Sequence, residues 1–149
     1  MSENKIIYMD NNATTRVYQE VLDAMLPYFK DQYYNPSSMY SPAGAVHKEM
    51  EKARGEVADF LGCEPIEVCF VSCGSEGDNM AIRGTIEAYP TKNHIITTRV
   101  EHPAVIETCK SLERLGYRIT LLDVDSDGNI NIDDLKKAIN DNTAIVSIM

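Results

Sequence analysis

Hydrophobic positions along the chain change their period near residue 62, and the change divides what the sequence predicts. Before it, Val17, Val21, Leu22, Met25, Leu26 and Phe29 recur at helical spacing, with Thr14 or Thr15 available as a cap and Pro27 as a point of bending. A second run, Val46, Met50, Ala53, Val57, Phe60 and Leu61, predicts a long amphipathic helix that stops at Gly62. Asn35-Pro36-Ser37-Ser38 and Ser41-Pro42 mark an irregular connection between the two. Ahead of both, residues 6–15 pass from a short apolar segment into a polar turn, which reads as a strand or extended arm ending in a loop.

Beyond Gly62 the apolar runs shorten and alternate with helical patterns. Val68–Val71 predicts a buried strand, Ser75–Ala88 a helix, His94–Thr98 a strand, and Pro103–Leu115 a helix stopped by Gly116. Ile119–Leu122 then predicts a strand, Asp133–Ile139 a helix, and Thr143–Met149 a last strand. Such alternation predicts an α/β fold with a mostly parallel sheet flanked by helices. Ligands in such sheets bind beyond the carboxyl ends of the strands, so the strand-to-helix loops at 72–75 and 99–102 are the expected site walls. A final core strand with nothing after it leads to two further expectations. The 149 residues stop short of a complete fold of this class, and the isolated chain aggregates through an unpaired edge.

Composition narrows the classes. With 44% hydrophobic and 25% charged residues the chain can bury a core, which excludes general disorder. No stretch reaches the roughly 18 apolar residues of a membrane span. The start, Met1-Ser2-Glu3-Asn4-Lys5, lacks a signal-sequence pattern, so a cytoplasmic protein is expected. A net charge of -9 opposes nonspecific binding to nucleic acid or to an anionic membrane. Cys63, Cys69, Cys73 and Cys109 form no CxxC pair and have no clustered histidines nearby, so reduced, mostly packed thiols are expected and no metal site.

Five segments are candidates for chemistry. Ser72-Cys73-Gly74-Ser75-Glu76-Gly77-Asp78-Asn79 joins a strand to a helix and offers small residues and free amides to an anion, with the Ser75 hydroxyl as a further donor; a plain helix start capped by Ser75 is the competing reading. His102, ahead of Pro103, can face the crevice, stack on a planar ring or exchange protons, or simply begin a helix. His94 opens a strand and reads as structural or exposed, and His47-Lys48 lies on a solvated helix face without a catalytic role. Asp123-Val124-Asp125-Ser126-Asp127-Gly128 resembles the start of a calcium loop. Yet Tyr117–Leu122 is not an entering helix and Asp134 is a short twelfth ligand, so a polar turn that caps the next helix is expected.

Several motifs in order resemble one family: Asp10-Asn11-Asn12-Ala13-Thr14-Thr15, Met25-Leu26-Pro27-Tyr28-Phe29, Asn35-Pro36-Ser37-Ser38, the Ser72–Asn79 segment, and Val100-Glu101-His102-Pro103-Ala104-Val105. From Tyr8 to Met149 the chain resembles the amino-terminal part of class V, fold-type-I pyridoxal-phosphate (PLP) enzymes, and within them the NifS/IscS-type cysteine desulfurases. The resemblance implies an amino-terminal arm, residues 1–16, ahead of an incomplete PLP-binding large domain, residues 17–149. It implies removal of sulfur from L-cysteine as an enzyme persulfide, release of alanine, and delivery to a sulfur-acceptor or scaffold protein for iron–sulfur clusters. By position, Gly74 and Ser75 bind the cofactor phosphate, His102 stacks on the pyridine ring and assists proton transfer, and Asn11, Ala13 and Thr14 lie near the substrate.

Ser75 stands where the family usually has threonine, Cys73 where glycine or alanine is usual, and Gly77 where serine is common. The family's Schiff-base lysine, pyridine-nitrogen aspartate, persulfide cysteine and carboxylate-binding arginine have no counterpart up to Met149. The resemblance also implies a homodimer, or pairing with a complementing second chain, and the fragment is expected to be inactive alone. Selenocysteine or another amino acid as substrate, and a non-catalytic binding or regulatory fragment, remain the alternatives.

Overall fold

The architecture comes from a computed structural model that describes residues 6–149. The first five residues of the expected arm, and the reading of the chain start made on them, lie outside the described residues. The chain divides into two compact units, Met1–Cys69 and Phe70–Met149.

In the first unit the described part of the arm has no regular element until Gln19. The Asp10 carbonyl accepts the N–H groups of Ala13 and Thr14 at 3.1 and 3.4 Å, closing a turn over Asn11 and Asn12. That turn occupies the residues expected to cap the next helix. Helix α1, Gln19–Lys30, accordingly begins after an extended Tyr18 that provides no side-chain cap. It continues through Pro27, whose missing N–H removes one intrahelical bond. Helix α2, Ser41–Leu61, takes in Ser41 and Pro42, which the sequence reading left in the connection. Proline suits a first helical turn because its absent N–H has no partner there anyway.

The other end of α2 follows expectation. Gly62 closes it at φ 72°, and the Cys63 N–H returns to the Ala58 carbonyl at 3.0 Å. A short 3-10 turn, Pro65–Glu67, contacts α2, where Arg54 Nη1 donates to the Val68 carbonyl. Buried apolar side chains of this unit are few among the described residues: Ala43, Val46 and Ala58.

The second unit is a three-stranded parallel sheet in the order β2-β1-β3, built from β1 (His94–Thr98), β2 (Arg118–Leu122) and β3 (Thr143–Val146). Helices α3 (Gly74–Ala88), α4 (Pro103–Arg114) and α5 (Ile132–Ala138) alternate with the strands, as the pattern predicted. Ile82 and Ile86 of α3, Ile95 of β1, and Val105, Cys109 and Leu112 of α4 form the core, bordered by Tyr117, Ile119, Ala144 and Ile145. At about 25 cal/mol per Å² of apolar surface, each such side chain contributes about 1.5–3 kcal/mol.

Side chains alternate along a strand, so Thr97 shares the Ile95 side of β1. Its hydroxyl is buried and has no hydrogen-bond partner among the described residues. On the other side His94, 1% exposed, ties the sheet together. Its Nδ1 lies 2.9 Å from Thr143 Oγ1 and 3.2 Å from Asn140 Nδ2, and its Nε2 lies 2.8 Å from Thr120 Oγ1. Because the Asn140 amide can only donate, Nδ1 accepts and the ring carries its proton on Nε2. Burial, and secondarily the Arg118 charge, hold this histidine below its ordinary pKa of 6.5. His94 is thus structural.

Three expectations are corrected. Val68–Val71 is not a strand: the segment is irregular and pairs with no strand among the described residues, because apolar side chains alone do not supply a ladder partner. The last strand ends at Val146 rather than Met149. The cysteines are not mostly packed: Cys109 is buried and Cys63 intermediate, whereas Cys69 and Cys73 are exposed.

The Asp123–Asp134 segment is a turn, entered from a strand rather than a helix. Asp125 accepts the N–H groups of Asp127 and Asn129 at 2.9 and 2.8 Å, Gly128 adopts φ 87°, and Val124 bridges to Ile130. The Asn131 side chain then caps α5.

Candidate functional site

Two loop-to-helix junctions of the second unit carry the expected cofactor residues. Helix α3 begins at Gly74 with Cys73, not Ser75, as its N-cap residue, and no side-chain hydrogen bond closes the cap. Ser75 is therefore inside the first turn, which corrects the reading of it as a cap. The first amide bonded back to the cap carbonyl is that of Gly77, 3.2 Å from the Cys73 oxygen. The amides of Gly74, Ser75 and Glu76 precede it, at the positive end of a helix of 15 residues. A Cβ placed on Gly74 would meet nothing within 4 Å, so the side-chain direction at Gly74 is open.

The loop's own charges are held locally. Glu76 Oε2 accepts the Ser72 N–H at 2.6 Å and the Ser72 hydroxyl at 2.7 Å, and these bonds hold its carboxyl below the ordinary value. The Cys73 thiol is likewise lowered, first by the Glu76 N–H, then by the Ser72 hydroxyl and, against a small burial cost, the Ser75 N–H. Sulfur is a weak acceptor, so these amides still favour a stronger anion.

At the second junction His102 is the N-cap of α4. Its Nδ1 accepts the Ala104 N–H at 3.1 Å, and Pro103 occupies the first turn. With Nδ1 engaged, the neutral ring presents a protonated Nε2. Arg99 in the same loop is paired with Asp123 at 2.5 Å. Beyond the carboxyl end of β1 lies an open groove of about 310 Å³, whose lining includes Thr98, Val100, Ile130 and Met149. Asn11, Ala13 and Thr14 lie in the first unit, on the turn closed by the Asp10 carbonyl. No lysine occurs in either junction loop. Among the described residues, no cluster of three or more His, Cys, Asp or Glu side chains is placed to hold a metal.

Sequence reasoning missed Asn79 and Thr108. Thr108 donates to Asn79 Oδ1 at 2.8 Å, and Asn79 Nδ2 donates to the Ser75 carbonyl at 2.9 Å, so the two junction helices are bonded side chain to side chain. The available signal was Ser75, Asn79 and Arg83 at a spacing of four, a polar stripe along one face of α3.

Residues 7–149 match the sequence pattern of the aminotransferase class-V family. The chain belongs to that family. Among curated relatives of this class-V chain, cysteine desulfurase 2 of Trichormus variabilis is 54% identical over 97% of the chain. Two solved structures superpose closely: a NifS-like protein with a TM-score of 0.87 at 40% identity, covering 93% of this chain and 38% of that one, and SspA in complex with cysteine with a TM-score of 0.84 at 35% identity, covering 91% and 40%. The class-V chain spans about 36% of the length of the curated relatives it matches.

The family depends on PLP, and the residues at α3 fit one end of that group. Three amides ahead of the first intrahelical bond, an exposed serine hydroxyl and an open approach at Gly74 make a donor set suited to a phosphate monoester.

Proposed function

We propose that this chain is the amino-terminal share of a cytoplasmic, homodimeric cysteine desulfurase, which takes sulfur from L-cysteine, releases alanine and passes the sulfur to an acceptor or scaffold protein. The observation that carries the reading is the start of α3, whose first three amides precede any intrahelical bond and face at most a weak sulfur acceptor, in a chain of the class-V family. PLP, when bound, supplies the electron sink that makes the cysteine carbon–sulfur bond breakable. Gly74 and Ser75 would hold its phosphate through backbone N–H groups and the Ser75 hydroxyl. His102 would lie against the pyridine ring, fixed by the Ala104 N–H, and move a proton through Nε2. Asn11, Ala13 and Thr14 would border the amino-acid substrate.

The lysine that holds the cofactor aldehyde is read as coming from outside these 149 residues. Lys92 Nζ donates to the Thr143 carbonyl, at the amino end of the sheet, while Lys110, Lys136 and Lys137 pair with carboxylates on their own helices. Apolar residues exposed on the first unit, Met9 at 86% and Phe29 at 70% among them, support a dimer surface.

The test is an absorption titration of the chain with PLP, before and after borohydride, followed by mass analysis. The expected result is binding without a stoichiometric reduced adduct at any single lysine, and a weaker affinity in Ser75→Ala. A single adduct accompanied by sulfide release from cysteine would show that the chain holds its own lysine.

A further inference from the structure

The bond between Asn79 and Thr108 belongs to a longer series. Starting from α3, the Ser75 carbonyl accepts from Asn79 Nδ2 at 2.9 Å. Asn79 Oδ1 accepts from the Thr108 hydroxyl at 2.8 Å and from Arg83 Nε at 3.3 Å. The Thr108 hydroxyl is also 2.7 Å from the Ala104 carbonyl, so its single proton is shared by two acceptors. The Ala104 N–H in turn donates to His102 Nδ1 at 3.1 Å. Hydrogen bonds through Asn79, Thr108 and the backbone of Ala104 therefore run from the backbone of Ser75 to the imidazole of His102.

Holding α3 against α4 does not require this arrangement. Ile82, Ile86, Val105, Cys109 and Leu112 already bury the two helices against each other, and Arg83 Nη2 adds a bond to Ser111 Oγ at 3.1 Å. What distinguishes Asn79 and Thr108 is place. Asn79 lies one turn from Ser75, and Thr108 bonds the first turn of α4, next to His102. Thr108 is 4% exposed, so its bond is shielded from water, where hydrogen bonds fix geometry most strictly.

We propose that Asn79 and Thr108 are positioning residues of the cofactor site, a clamp that sets the spacing between Ser75 and His102 so that one ligand is gripped at its phosphate and at its ring. The inference rests on the PLP reading of α3. It adds that the two walls are a coupled unit rather than two independent contacts.

The experiment uses the full-length holoenzyme and its apo form. The PLP dissociation constant, the visible circular dichroism of bound cofactor and the apo-protein melting midpoint are measured for Asn79→Ala, Thr108→Val, their double variant, Thr108→Ser and, as an interface control, Ser111→Ala. A clamp requires each of the first two to raise the dissociation constant about tenfold and weaken the visible band. The double variant should be no worse than either single one, since both break the same link. Thr108→Ser, which keeps the hydroxyl, should restore affinity, and Ser111→Ala should leave it unchanged.

The clamp is overturned if Asn79→Ala and Thr108→Val bind PLP with unchanged affinity and an unchanged visible band. It is equally overturned if their effects add and match that of Ser111→Ala at the same loss of melting midpoint. Should either variant fail to fold, Asn79→Ser, a milder change at a half-buried position, decides by the same two readouts. An unmodified protein that binds no PLP, or a Ser75→Ala variant that binds it as tightly, sinks the cofactor reading and the clamp with it. Intact Ser75 dependence with an indifferent Asn79 sinks the clamp alone.

Discussion

The two units use apolar side chains in opposite ways. In Phe70–Met149, Ile82, Ile86, Ile95, Val105, Cys109 and Leu112 meet in one cluster under a sheet whose central strand is buried along its whole length. In Met1–Cys69 the long α2 buries only Ala43, Val46 and Ala58, and α1 buries none of its residues. Both sequences are amphipathic, so amphipathicity alone does not make a core; a core needs a second surface on which the apolar stripe closes. The residues expected for a site divide in the same way between the units. The junctions bearing Ser75 and His102 are anchored on the closed cluster, whereas Asn11, Ala13 and Thr14 lie on a turn closed by backbone bonds to Asp10.

The sharpest way to break this comparison is a matched pair of truncations. Ile95→Ala, at a position with 0% exposure, should cost the second unit about 2–5 kcal/mol in urea denaturation, while Val57→Ala on α2, at 38% exposure, should cost about 1 kcal/mol or less. Equal losses would mean that α2 is as firmly closed as β1.

A smaller effect is expected from pH. The folded pKa of His94 lies below the unfolded value of 6.5, so the unfolded chain binds the proton more readily. Its contribution to stability is complete above pH 6.5 and is lost as pH falls toward the folded value, because burial and, secondarily, the Arg118 charge disfavour the protonated ring. Urea midpoints measured from pH 8 to 5 should fall in the native chain and flatten in His94→Asn. A parallel fall in both would assign the effect to carboxylates instead.

The smallest effect has the opposite sign. Thr97→Val replaces a buried hydroxyl that lacks a partner by a group of the same shape, and should be neutral or raise stability by about 1 kcal/mol, read as a higher melting midpoint. A loss above that amount would mean that the hydroxyl holds a bound water.

Legibility in the sequence follows the same physics. His94–Thr98 was readable to the residue because a β-branched run flanked by polar turns has few other solutions, and Gly62 and Gly116 marked helix ends that need positive φ. Val68–Val71 has the same local signal as a strand but joins no sheet among the described residues, which local composition cannot reveal. Ser41-Pro42 was placed in a loop because proline was weighed as a breaker rather than as a first-turn residue. Gly74, Ser75 and His102 are singled out in the sequence by their places ahead of predicted helices and by family resemblance. Asn79 and Thr108 were not, because their meaning lies in a hydrogen bond across 29 residues.

The strand order also sets a timetable for synthesis. β1 is central but is made first; β2 follows about twenty residues later and β3 only at Thr143–Val146. At ribosomal speeds of about 5–20 residues per second, the edge of β1 destined for β3 waits roughly 2–10 s for its partner. During that interval the nascent chain displays an unfilled strand edge beside Ile95 and Ile96, a template for pairing with another chain.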